Sequence, residues 1–218
     1  MKLYLLSLAL LTSAFAQNWP KTWSPSYGTY DLADVFLTDE YGIGLSLNNY
    51  CIYNHPDSTS YDERRFDLWA RLGILKNAEF ELKYSYPTCG LVSLKYKFFE
   101  HFVDAAFKFG FGYMKGTRED QITDYVYDFY PTLLLSKTLL SGIRFFMAPK
   151  LIYSIHTRDT QEHSTRPPRE IFHYGYGLGC AVGKNFQILP EANWCWGNNE
   201  GVKYMVNQFG MGVALKIK

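Results

Sequence analysis

Along much of this sequence, large apolar residues occupy every second position, and the positions between them hold charged or very small residues. In residues 102–115, for example, Phe107 and Phe109 alternate with Lys108 and Gly110. A period of two is typical of a β-strand whose two faces meet different surroundings. Because this pattern recurs along most of the chain and helical periodicity is nearly absent, the sequence predicts an all-β fold.

Ten segments carry the alternation, which predicts a closed, antiparallel, up-and-down transmembrane β-barrel of about ten strands, within a range of about 8–12. The segments run approximately over residues 41–53, 64–75, 78–87, 91–99, 102–115, 124–138, 142–156, 169–183, 186–197 and 203–217.

The connections between these segments alternate in length. Tight turns are expected at residues 76–77, 100–101, 139–142 and 184–185. The other connections are mostly longer and polar, and the longest cover residues 54–63 and 157–169. This asymmetry is expected when alternate hairpins face different compartments, as in a membrane barrel.

The N-terminal residues precede the alternating region. Residues 1–16 combine Lys2, an apolar run and Ala14-Phe15-Ala16, which predicts a cleaved secretory signal. Residues 17–40 form a lead-in segment, either a periplasmic arm or a plug inside the barrel, and residues 41–218 form the barrel. Without Lys2 the chain has 21 basic residues against 21 acidic ones, so no electrostatic bias toward nucleic acid is expected.

Aromatic residues lie near the ends of the apolar faces, where a membrane barrel carries its aromatic girdles. Phe98, Phe145 and Phe186 lie near the tight turns. The predicted girdle near the longer connections comprises Tyr53, Tyr84, Tyr86, Tyr113, Tyr153, Tyr174, Trp194 and Trp196.

The chain resembles the small outer-membrane β-barrel proteins of bacteria. The resemblance is carried by the signal "MKLYLLSLALLTSAFA", by strands such as "VDAAFKFGFGYM" and by the closing strand "NQFGMGVALKIK". It implies a location in the bacterial outer membrane after signal cleavage, with outer-membrane lipids and the barrel-assembly machinery as partners. We expect a non-enzymatic function, either a structural or surface role or a minor solute-pore activity.

A soluble, secreted ligand-binding barrel would show the same alternation with its apolar face turned inward. Roughly fifty large apolar side chains would then have to fit in a lumen that has little spare room in a small barrel. The face with the small residues fits a crowded interior better. The glycines expected in the lumen are Gly42, Gly44, Gly110, Gly112, Gly175, Gly177, Gly179, Gly210 and Gly212.

The same inward face carries charges of both signs, which we expect to pair because an unpaired buried charge is costly. The alternative is a polar conduit for small solutes. The predicted network comprises Asp67, Arg71, Glu81, Lys83, Lys95, Lys97, Asp104, Lys108, Asp128, Arg144, Lys150, His173 and Glu191.

Catalytic chemistry is the weaker hypothesis. His55 lies near Asp57 and Ser58, and His156 and His163 flank a polar loop, so an enzyme acting on lipid or peptide at the outer rim is the alternative function. No metal-site spacing is present, and we expect no catalytic residue, metal or cofactor. The four cysteines, Cys51, Cys89, Cys180 and Cys195, are expected to be free or partly paired.

Overall fold

The computed structural model describes residues 27–54, 59–86, 89–117, 123–159, 168–199 and 201–217. It contains ten antiparallel strands, in which each strand pairs with the next and β10 closes on β1. The strands are β1 (Tyr41–Asn54), β2 (Thr59–Leu75), β3 (Ala78–Ser85), β4 (Cys89–Phe99), β5 (Asp104–Thr117), β6 (Thr123–Leu140), β7 (Ile143–Asp159), β8 (Arg169–Val182), β9 (Phe186–Asn199) and β10 (Val202–Ile217). The predicted fold class, a closed antiparallel barrel, is confirmed.

The alternation of the sequence becomes an alternation of exposure. On β5, Phe107 and Phe109 are 46% and 49% exposed, whereas Lys108 between them is 8% exposed. The apolar face therefore points outward around the barrel and the charged or small face lines the lumen. No helix among the described residues is long and apolar enough to cross a membrane.

The strands reach further than the sequence pattern indicates. β2 begins at Thr59 and β7 ends at Asp159, so most of the predicted connection 54–63 is strand. On β2 the outward positions turn polar at Arg64 and Asp62, which ended the apolar alternation although the backbone ladder continues.

The prediction that the connections at one end of the barrel are mostly longer is therefore wrong for the loops themselves. Connections of 4, 3, 5, 9 and 2 residues lie at one end, here called the loop end, and connections of 2, 4, 2 and 3 residues lie at the other, the short-turn end. The asymmetry lies mainly in how far the paired strands extend. At the short-turn end Gly142 and Gly183, with φ of 84° and 111°, close two of the turns, a backbone region that other residues rarely adopt.

Residues 27–36, here called the strap, run inside the barrel without forming a strand. The chain is anchored at the short-turn end, where the Glu40 carbonyl accepts a 3.1 Å hydrogen bond from the Gly73 amide. From this anchor the strap leads back, toward lower residue numbers, to the loop end, where Tyr27 packs beside Tyr50 and His173. Within the predicted lead-in segment, residues 27–36 thus lie in the lumen; the predicted signal lies outside the described residues.

Candidate functional site: the lumen and its strap

The inward charges predicted from the sequence line the lumen. Of the thirteen, only Asp104 and Arg144 keep side chains that are about a quarter exposed, at 24% and 25%, and both lie near the short-turn end. There Asp104 pairs with Lys97 at 3.3 Å, and Arg144 pairs with Asp34, which precedes the strands. The buried members are Asp67, Arg71, Glu81, Lys83, Lys95, Lys97, Lys108, Asp128, Lys150, His173 and Glu191.

The centre of the network is Asp31, a strap residue that the sequence analysis did not identify. Its carboxylate lies 2.8 Å from Lys95 Nζ, 3.0 Å from Lys108 Nζ and 3.3 Å from Arg71 Nη1. Three cations from three different strands thus meet one carboxylate, which compensates for the loss of its hydration. No periodicity marks Asp31, because the strap is not a strand.

The wall supplies the remaining carboxylates. Glu81 accepts from Arg71 Nε at 2.6 Å and from Lys108 Nζ at 2.7 Å, and Glu79 lies 3.0 Å from Lys95 Nζ. Glu79 was missing from the predicted network although it shares the inward parity of Glu81, so strict use of the period on β3 would have found it.

Wall side chains also satisfy the strap's backbone carbonyls. The four donors share a positive charge, and each reaches one carbonyl oxygen at 2.7–3.2 Å: Lys150 to Tyr27, Lys83 to Gly28, Arg71 to Tyr30 and Lys95 to Leu32. Because these hydrogen bonds are charge-assisted, they are stronger than ordinary amide bonds.

The strap's amides are matched in the same way by acceptors. Three amide groups donate over 2.7–3.2 Å: Thr29 to Glu191, Phe36 to Glu79 and Ala33 to the Ser136 hydroxyl. The Tyr30 amide donates to the second oxygen of Glu191. The strap is therefore bound through its main chain by side chains of the wall.

Tyr30 is the main side-chain anchor of the strap. Its ring stacks on Trp69 with centroids 5.7 Å apart, and its hydroxyl bonds Asn48 and Gln208. It also adopts a φ of 46°, which is uncommon for a residue with a side chain and indicates local strain held by the surroundings.

The luminal glycines make room for these bulky groups. A methyl group on Gly210 would collide with the Tyr30 hydroxyl and would approach the Leu47 carbonyl at 2.7 Å. The other predicted glycines face neighbours of the same kind: Gly42 meets the Phe36 ring, Gly44 and Gly212 meet Trp69, Gly110 and Gly112 meet Tyr130, Gly175 meets the β9 backbone, Gly177 meets Asn193 and Gly179 meets Phe146.

A second layer of buried side chains packs across the lumen toward the loop end. Buried side chains from β1, β6, β7, β8, β9 and β10 form one cluster against Tyr27, and Leu91 of β4 packs on it. Within this layer the Tyr204 hydroxyl contacts His173 Nε2. We call it the aromatic layer; its wall members are Tyr50, Ile52, Tyr130, Ile152, Ile171, Cys195, Tyr204 and Val206.

At the short-turn end the lumen is open. A cavity of about 410 Å³ lies beside the strap and is lined by Phe36, Trp69, Arg144 and Lys216 among others. Access to the strap from this end is therefore direct, whereas access from the loop end passes the aromatic layer.

The predicted girdle residues lie on the outer surface near the loop end. Tyr174 is 56% exposed and stacks on Trp196 with centroids 5.9 Å apart, and Tyr176 packs against Trp194 at 5.4 Å. The remaining girdle positions, Tyr53, Tyr84, Tyr86, Tyr113 and Tyr153, are exposed or half-buried.

The candidate catalytic groups are only partly described. His55 and His163 lie outside the described residues, and His156 is half-buried in β7. Among the described residues no group of three His, Cys, Asp or Glu side chains is arranged to hold a metal ion. All four cysteines are free, with Cys89 and Cys195 buried in the lumen.

Comparisons with known proteins give structural neighbours but no match by family model or among curated proteins. Among solved structures it is similar to Neisserial surface protein A (9% identity, TM-score 0.46, covering 81% of this chain and 97% of that one). It is also similar to the attachment invasion locus protein Ail of Yersinia pestis (12%, 0.42, 81% and 98%) and to the translocator domain of the autotransporter NalP from Neisseria meningitidis (10%, 0.38, 97% and 94%).

Proposed function

We propose that the protein is a bacterial outer-membrane β-barrel with a non-enzymatic, structural or surface role, and that its lumen is sealed. The observation that carries the proposal is the pairing of an apolar outer surface with an occupied lumen. Large apolar side chains such as Leu47 (67%), Leu94 (49%) and Phe109 (49%) are exposed on the outer face of the wall, an arrangement that fits hydrocarbon and not water.

The seal favours a structural role over solute conduction. A ten-stranded barrel is wider than the eight-stranded barrels whose wall side chains just fill the interior. Here the strap takes up the additional space with its charges paired, and the aromatic layer closes the passage beyond it. Hydrophobic constrictions of this kind oppose ion passage because water does not wet them.

Planar-bilayer recording of the refolded protein tests the proposal. We expect insertion without stable current, with insertion established independently by co-flotation with vesicles. A steady ohmic conductance would contradict the sealed lumen, and a monomeric, cooperatively folded protein in buffer without lipid or detergent would contradict the membrane location.

A further inference from the structure

We propose that the half of the lumen at the short-turn end is a binding pocket for an extended peptide that carries a carboxylate. The strap, as part of the same chain, occupies this pocket. The main chain of the strap is held as a ligand is held. Its carbonyl oxygens accept hydrogen bonds from the side chains of Lys83, Lys150, Arg71 and Lys95, and its amides donate to acceptors that include Glu191. Recognition through the main chain tolerates different side chains, so a peptide of another sequence can make the same bonds.

The carboxylate requirement comes from the charge balance of the wall. Around Asp31, three buried cations face two buried wall carboxylates, and Asp31 supplies the third negative charge. The wall members are Arg71, Lys95 and Lys108 with Glu79 and Glu81. A ligand without a carboxylate at the Asp31 position would leave Arg71, Lys95 and Lys108 in excess of their partners, at the cost of a buried unpaired charge.

Among the described residues, the pocket opens at the short-turn end and is covered toward the loop end. The cavity of about 410 Å³ opens it at the short-turn end, and the aromatic layer closes it toward the loop end. A ligand therefore enters from the short-turn end, which faces the periplasm if the proposed function holds.

The strap competes with any free peptide because it is tethered. The exposed residues 37–39 connect it to Glu40, which is fixed by the Gly73 amide and by a 2.6 Å ion pair with Lys216. So short a tether holds the strap at an effective concentration on the order of millimolar, which excludes a free peptide of similar affinity. Weakening the strap's own carboxylate contact exposes the pocket.

The test uses Asp31→Asn, which keeps the side-chain shape and removes the charge. The matched control is Asp39→Asn, the same change at an exposed position three residues beyond the strap. The probe is a fluorescent peptide with the sequence of residues 28–36, Gly-Thr-Tyr-Asp-Leu-Ala-Asp-Val-Phe, and its partner peptide has Asn in place of the first Asp. Binding to the refolded full chain is measured by anisotropy.

We expect the first peptide to bind the Asp31→Asn variant and to bind neither the unmodified protein nor the Asp39→Asn control. The Asn peptide should bind about tenfold or more weakly, since hydrogen bonds to charged groups contribute about 1.5–3 kcal/mol. Release of the strap is read separately from Ala33→Cys, in a background without the other four cysteines. Ala33 is fully buried, so its thiol should react only when the strap has left the lumen.

Three results would overturn the proposal: protection of the position-33 thiol in Asp31→Asn, absence of peptide binding where that thiol reacts, or equal binding of the two peptides. Tyr30→Ala, which leaves every wall charge in place, provides a second released variant if Asp31→Asn does not fold. Vesicle co-flotation of the unmodified protein reports failure of the proposed function independently of all these outcomes.

Discussion

At the scale of single residues, the positions of glycines reflect contacts between residues that are far apart in the sequence. Gly210 and Tyr30 belong to opposite ends of the chain, yet the first has no side chain because the second occupies the space. Parity identifies Gly210 as an inward position, but only the structure identifies what it faces.

Gly210→Ala should destabilise the barrel by about 1–3 kcal/mol, the usual cost of overpacking. The added methyl would be pressed against the Leu47 carbonyl, which is backbone and cannot rotate away. Gly90→Ala is the matched control, because no atom lies within 4 Å of the added methyl on β4, and it should be neutral or slightly stabilising. Urea unfolding in vesicles measures both; equal effects at the two sites would contradict the assignment of the faces.

At the scale of elements, strands and strap differ in what the sequence can predict. Wall residues such as Asp67 and Lys150 lie buried on the face that alternation gives them, because a strand keeps strict alternation over its whole length. The strap has no period, since its hydrogen bonds go to side chains, and so neither the position of Asp31 nor its pairing with Arg71, Lys95 and Lys108 could be predicted. Strand ends were missed where polar residues such as Asp62 and Arg64 continue a ladder outside an apolar environment.

The two seals should act independently. Asp31→Asn alone should leave the bilayer current near zero, because the aromatic layer remains, and Tyr50→Ala with Tyr204→Ala should do the same because the strap remains. Only the combination of all three substitutions should conduct. Conductance is compared at equal amounts of vesicle-inserted protein, and current from either partial set would show that one layer carries the whole seal.

At the scale of the whole molecule, the even number of strands puts both ends of the barrel, Tyr41 and Ile217, at the short-turn end. In an outer membrane this end is expected to face the periplasm, as short turns do in bacterial barrels. The fold class and strand number followed from the sequence, whereas the closure of the lumen required the structure.

Cysteine labelling tests this orientation. In a background without the native cysteines, Ser60→Cys and Val202→Cys at the loop end should react with an impermeant reagent on intact cells. Asn77→Cys and Asn185→Cys at the short-turn end should react only after the envelope is permeabilised; all four positions are exposed. Labelling of both pairs on intact cells would remove the assigned orientation.

The extension of β2 and β7 at the loop end has a mechanical consequence. A tilted strand crosses the bilayer in about 9–11 residues, whereas these strands each have 17. In a membrane, the additional residues at the loop end would extend roughly 10–15 Å beyond the lipid headgroups as a hydrogen-bonded sheet. Among the described residues, pairing between strands stiffens this part of the rim. If the loop end faces the outside of the cell, sequence change there is constrained by pairing as well as by solubility.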